Sequence, residues 1–159
     1  MRLQSQAGQT LIEIIIAVGL VVLVLTSISA GVAISVRNNR HAKSMEEAKQ
    51  YAREGSEWLR RMRDQLGWDS FAQAVRADGA SITYCLPALP QTGAAFIALS
   101  NQTCTTSQVI SGTVFNRSMA VTTSAGAIPD TVTAVISVSW SDGGKQFASQ
   151  STLTLRRWR

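Results

Sequence analysis

The sequence is poor in the side chains that most often carry catalysis or bind metals. It has one histidine, two cysteines and three prolines in 159 residues, and only 16% of its residues are charged. The histidine, His41, lies between basic residues, and the aspartates stand singly, so neither a metal site nor a pair of catalytic carboxylates is predicted. A glycine-rich phosphate-binding loop is missing as well. We therefore expect no enzymatic activity and no cofactor.

The N-terminal third of the chain has no proline, and it contains a long block without charge. The first proline is Pro87, so nothing interrupts a helix over residues 10–66 before a stop at Gly67. Residues 14–36 carry no charge, and as a helix they would extend roughly 35 Å, enough to cross a bilayer. This block excludes an ordinary cytosolic enzyme and predicts a transmembrane helix.

One carboxylate, Glu13, lies at the start of the apolar block. A secretory signal peptide has its small-residue cleavage site after the apolar region, whereas here Gly8 precedes it. A carboxylate in a membrane helix costs on the order of 2.5–3.5 kcal/mol at the bilayer centre and less near the interface, so it needs a cationic partner. The next basic residue is Arg37. We therefore expect the partner of Glu13 to be a terminal amine or a group on another chain.

Residues 8–13, which read GQTLIE before the apolar run, resemble the N-terminal signature of the type IV pilin family, which includes the pseudopilins of type II secretion and competence systems. The resemblance implies that a prepilin peptidase cleaves after Gly8 and methylates the new amine of Gln9. It also implies that Glu13 neutralises this amine on a neighbouring subunit during filament assembly. Gln9 departs from the family pattern, which usually has phenylalanine there. A looser resemblance, to the stems of minor pilins and pseudopilins, extends to about residue 70.

The resemblance implies a location and a set of partners. The chain would sit in the cytoplasmic (inner) membrane with a single pass and its head outside, and would enter an extracytoplasmic filament after assembly. The partners would be other pilin subunits, the prepilin peptidase, the inner-membrane assembly platform and, before assembly, membrane lipid. Counted alone, the bias of basic residues toward the C-terminal side of the span would place the head in the cytoplasm. The motif favours the opposite orientation.

Small residues recur every four positions within the span, at Ser27, Gly31 and Ser35. Such a stripe lets helices approach closely in lipid, so we expect it to contribute to helix packing in the filament.

The sequence beyond the span predicts an α+β fold, in which a long N-terminal helix packs on a small antiparallel β-sheet. The resemblance implies the same architecture, a pilin-like fold. Apolar residues continue at helical spacing to Leu66, which predicts an amphipathic stem, and the alternation around residues 131–140 predicts a half-buried strand. The segments predicted as strands are 82–86, 95–99, 118–123, 131–140 and 146–155. The predicted regions are a leader (1–8), a transmembrane or filament-core helix (9–36), a stem helix (37–67) and a β-rich head (68–159).

The only cysteines, Cys85 and Cys104, lie close together in the predicted head. In an exported domain, an even pair at this spacing predicts a disulfide, and two free thiols would argue against export.

Two clusters of basic and aromatic residues raise the question of DNA binding. One surrounds Trp58 and the other ends the chain at residues 156–159. Alternating cations and aromatics can bind single-stranded nucleic acid, but the charges around Trp58 interleave with acids at helical spacing, so DNA is the less favoured partner. The alternative to a filament subunit is a signal-anchored surface protein that does not polymerise and whose head binds a ligand or DNA. The mature N-terminus distinguishes the two: methylated Gln9 for the pilin, Met1 for the anchor.

Overall fold

The structure, a computed structural model, describes the backbone of residues 7–77 and 81–157 and the side chains of these residues except 7–10 and 30. Its first element is the 60-residue helix α1, Ala7–Leu66. The helix ends at Gly67, which has a φ of 73° that side-chain-bearing residues rarely adopt. The predicted helix and its stop are confirmed.

The chain divides into two compact units, residues 1–42 and 43–159. In the first unit, the large apolar side chains of α1 from Leu11 to Val36 are exposed, with exposed fractions of 45–63%. An 18-residue window of α1 has a mean hydropathy of 2.8, and none of that window is buried. By length and composition, α1 can therefore cross a membrane.

The second unit contains a four-stranded antiparallel sheet in the order β1-β2-β3-β4. Its elements are α2 (Trp68–Ala74), β1 (Ile82–Cys85), α3 (Gly93–Ile97), β2 (Asn116–Thr123), β3 (Thr131–Asp142) and β4 (Lys145–Arg156). Each strand pairs with the next in sequence, so the sheet is a simple meander. The fold is thus α+β, with a long N-terminal helix and an antiparallel sheet, as predicted.

The hairpin between β3 and β4 follows directly from its turn residues. Asp142 pairs with Lys145 across Gly143 and Gly144, whose φ angles are 57° and 77°. Positive φ at both central residues is the geometry that matches the twist of a two-residue hairpin, and glycine adopts it without strain. The predicted turn is confirmed.

One face of the sheet carries the core. Alternate residues of β3 are fully buried, from Val132 to Trp140, and the residues between them are only half-buried. The amphipathic part of α1 covers this face, and Gly55 lies so close to β3 that a Cβ there would be 3.1 Å from Cγ2 of Ile136. The buried side of α1 begins at Ala48, whereas Ala42, predicted to continue the apolar face, is exposed.

Two short helices differ from the sequence prediction. The segment 95–99, predicted as a strand, is not one: residues 95–97 belong to α3, where the Thr92 hydroxyl accepts a hydrogen bond from the Ala95 N–H at 3.3 Å. Phe96 on α3 is buried against the Trp58 ring, with ring centroids 5.5 Å apart. The helix α2, which follows Gly67 directly, was not predicted at all. A tertiary contact and a cap stabilise α3, and neither produces a periodic pattern in the sequence from which a helix could be predicted.

Candidate assembly site and head surfaces

The predicted processing and assembly residues lie at the start of α1. Gly8 and Gln9 belong to the first turns of the helix, and the leader residues before Ala7 lie outside the described residues. Glu13 is exposed on the helix, in the midst of exposed Leu and Ile side chains. Within the part of the chain that the structure describes, no cation forms a salt bridge with the Glu13 carboxylate. The cationic partner that the sequence predicts for Glu13 is therefore not supplied by the described residues of the same chain.

The small-residue stripe is accessible on the same helix. The Ser27 hydroxyl donates to the Leu23 carbonyl at 2.8 Å, so its O–H needs no other acceptor when the helix is in an apolar environment. A Cβ at Gly31 would meet no atom within 4 Å, and Ser35 is exposed. These three positions can accept a close neighbour without first losing a contact within the described chain.

The predicted disulfide is confirmed: Cys85 and Cys104 are bonded, with their Cα atoms 4.9 Å apart. Cys85 ends β1, and Cys104 lies in the irregular segment before β2. Backbone bonds hold the same segment to the sheet, since the Gln102 N–H donates to the Thr83 carbonyl at 2.8 Å. The disulfide and this bond fix the segment against the outer edge of the head.

A neutral cavity lies beside this disulfide, on the sheet face opposite the core. Its volume is about 300 Å³, and hydroxyl and amide side chains from all four strands line it, among them Thr83, Ser118, Ser139 and Gln146. Charged side chains are absent from its lining. Elsewhere in the described part of the chain, no three His, Cys, Asp or Glu side chains lie close enough to hold a metal ion.

Sequence reasoning missed Arg117, a buried cation beneath α1. Arg117 lies on the inner face of β2 with its side chain 3% exposed, and its guanidinium contacts the Glu54 carboxylate at 3.0 Å. The same group donates to the carbonyls of Leu86 (3.2 Å) and Tyr51 (3.4 Å). Burial lowers the pKa of Arg117 from its usual value, and the carboxylate of Glu54 opposes that shift.

The Arg117 contacts join three parts of the head: α1 through Glu54 and Tyr51, the end of β1 through Leu86, and β2 itself. The signal in the sequence was the single charge in an otherwise apolar alternation with Met119 and Val121.

The aromatic residue of the first basic and aromatic cluster is not accessible to nucleic acid. Trp58 is fully buried, and its indole N–H donates to the Pro90 carbonyl at 2.6 Å. The buried ring cannot take part in stacking, because an aromatic ring must be accessible for a base to stack on it. In the second cluster, Arg156 and Arg157 are exposed, while residues 158–159 lie outside the described residues.

No family model, no curated protein and no solved structure matches the chain.

Proposed function

We propose that this chain is a structural subunit, a minor pilin or pseudopilin, of a type IV pilus or of a related type II secretion or competence filament. In this proposal, a prepilin peptidase cleaves after Gly8 and methylates the amine of Gln9, and the head lies outside the cytoplasmic membrane. The observation that carries the proposal is Glu13, an exposed carboxylate without a cationic partner in the described chain, five residues after Gly8 in an exposed apolar helix.

The energetics of Glu13 support a role in assembly. A carboxylate in a membrane helix carries a desolvation cost that a nearby cation offsets, and cleavage creates such a cation at the new N-terminus. A neighbouring subunit whose Gln9 amine lies beside Glu13 would neutralise both charges. Incorrectly staggered subunits would leave both groups unpaired, so the pair would also define the axial register between subunits.

The exposed surface of α1 supports the same role. Its Leu, Ile and Val side chains are more than half exposed at most positions from 11 to 34. An apolar surface of this length is unfavourable in water and indicates contact with lipid or protein. Lipid would cover it before assembly, and the equivalent helices of other subunits would cover it afterwards, with Ser27, Gly31 and Ser35 permitting close approach. The head would stay attached through the amphipathic continuation of the same helix.

The mature N-terminus tests the proposal. The full chain is expressed in a bacterial membrane with and without a prepilin peptidase, and its N-terminus is determined by mass spectrometry. We expect N-methylated Gln9 in the presence of the peptidase and an uncleaved chain in its absence. Gly8→Ala should block cleavage, whereas Gly19→Ala, a matched change on the same helix at a position with no atom within 4 Å, should leave it intact.

An unprocessed N-terminus at Met1 in the presence of an active peptidase would refute the filament proposal. It would leave the alternative of a signal-anchored surface protein.

A further inference from the structure

The strand β4 forms a long open edge of the sheet. It pairs with β3 one residue to one from Lys145 to Arg156, with no bulge in its twelve residues. Natural edge strands are usually shortened, bulged or interrupted by proline or charge, because their unpaired backbone groups can recruit another strand. The opposite edge, β1, follows this rule with four residues. Between its ends, β4 has no proline and no charge.

Half of the backbone groups of β4 point away from the sheet. The two-residue turn places Asp142 and Lys145 in a hydrogen-bonded pair, and beyond the strand the Arg157 N–H donates to the Asp130 carbonyl at 3.0 Å. Because hydrogen-bonding direction alternates along an antiparallel strand, the odd-numbered residues bond to β3. The even-numbered residues then direct N–H and C=O outward, and all of them are exposed: Gln146, Ala148, Gln150, Thr152, Thr154 and Arg156.

Cations border this edge along its length. A cavity of about 260 Å³ between α1 and β4 is lined by Lys49 and Arg53 together with residues 149–151. A second cavity, of about 400 Å³, lies at the end of β4 and is lined by Arg63, Arg156 and Arg157. With Lys145 at the other end of the strand, the edge has positive charge at both ends and at its middle.

Nearby acids neutralise only some of these cations. Lys49 approaches Glu46 at 3.8 Å, Arg63 approaches Asp64 at 2.7 Å, and Arg157 approaches Asp69 at 3.2 Å. Among the described residues, neither Arg53 nor Arg156 forms a salt bridge. The edge therefore retains net positive charge beside unpaired backbone groups.

We propose that the β4 edge binds an extended segment of another protein that has acidic residues at its ends and neutral, β-branched residues in its middle. The segment would add a fifth strand through main-chain hydrogen bonds, with its acidic ends facing Lys145 and the Arg156 region. This inference concerns the head alone and does not depend on the filament proposal.

Charge argues against a second copy of the same strand as the occupant. Pairing β4 with β4 in antiparallel orientation would bring Lys145 near Arg156 of the copy, and parallel pairing would align each cation with itself. Like charges directly opposite each other destabilise paired strands. Single-stranded nucleic acid fits less well, since β4 offers only Phe147 for stacking, and that ring is half-buried and stacked on Trp140 at 5.6 Å.

Synthetic peptides of about ten residues test the proposal on the full chain in detergent, with fluorescence anisotropy as the readout. One peptide has a Thr-Val centre with aspartates at both ends, and the second has the same centre with lysines. Thr152→Pro removes an outward N–H that β3 does not use, and Thr152→Ala is its matched control. The charge variant is Arg156→Glu, and its control is another single charge reversal, Lys43→Glu, at a cation that is 79% exposed and borders neither cavity.

We expect the acidic peptide to bind at least about tenfold more tightly than the basic one, and Thr152→Pro and the charge variant each to weaken it by about tenfold. The controls should stay within about twofold of the unmodified chain. If urea unfolding reveals that Thr152→Pro disturbs the sheet, the binding of the acidic peptide to the charge variant still tests the proposal.

Failure of the acidic peptide to bind, or equal binding of both peptides, would overturn the proposal. Tight binding of oligothymidylate that Thr152→Pro leaves unchanged would indicate a nucleic-acid surface instead. Self-association abolished by Thr152→Pro would indicate a second copy.

Discussion

Removing the carboxylate of Glu54 should loosen the attachment of α1 to the sheet. Glu54→Gln leaves the Arg117 guanidinium, with its side chain 3% exposed, without an opposite charge. Removing one partner of an ion pair lowers the free energy of unfolding by about 3–5 kcal/mol when both groups are fully buried. Here the cost is smaller, because Glu54 is 53% exposed and Arg117 keeps two carbonyl acceptors. We expect the free energy of unfolding of the head to fall by about 1–2 kcal/mol.

Glu47→Gln provides the matched control on the same helix. Glu47 pairs with Lys43 at 3.9 Å, and the two side chains are 45% and 79% exposed, so the loss of this pair should cost no more than about 0.5 kcal/mol. Both variants are compared by urea unfolding in detergent, followed by tryptophan fluorescence, since Trp58 and Trp140 are buried in the head core. Equal losses in the free energy of unfolding for the two variants would refute the argument that the buried Arg117 makes Glu54 more important for stability than an exposed carboxylate.

Four further results are expected. Glu13→Ala should leave the protein inserted in the membrane but poorly assembled, and normal incorporation into filaments would exclude its assembly role. Reduction of the disulfide should lower the stability of the head by about 3 kcal/mol, measured as a shift in the urea midpoint. Gly55→Ala should be nearly neutral, since the gain in helix propensity of about 1 kcal/mol offsets the 3.1 Å approach to Ile136, whereas Gly55→Leu should destabilise the head by about 1–3 kcal/mol. Burial raises the pKa of Tyr84 above its usual value of 10.0, so the unfolded chain ionises first as the pH rises. Stability should therefore be intact below about pH 10 and fall above it, and Tyr84→Phe should remove that part of the fall.

Those features of the fold that depend on local chemistry were predictable. The absence of proline before Pro87 and the stop at Gly67 predicted α1, and Gly143 with Gly144 predicted the hairpin. The alternation in β3 predicted which of its faces is buried. In each case, the residues that decide the structure lie within or beside the element itself.

Features that depend on contacts between distant segments were not predictable in the same way. The five-residue α3 depends on the burial of Phe96 against Trp58, a residue of α1 that is distant in sequence. Nothing local identifies Glu54 as the partner of Arg117. Similarly, the exposure of β4 as an edge follows from the strand order, which the residues of β4 do not encode by themselves. The residues of the proposed assembly site, Gly8 to Glu13, came from a motif, and the structure adds their helical setting and the exposure of Glu13.

The strict alternation in β3 has a consequence for the substitutions that the strand tolerates. Val132, Ala134 and Ile136 are completely buried, while Thr133 and Val135 between them lie on the opposite face and take no part in the core. Substitutions on that opposite face usually change stability by less than about 0.5 kcal/mol, whereas substitutions in the core cost several times more. A single strand thus carries two sets of positions that differ in the substitutions they tolerate. Residues on the outer face of the sheet can change while the core beneath them stays the same.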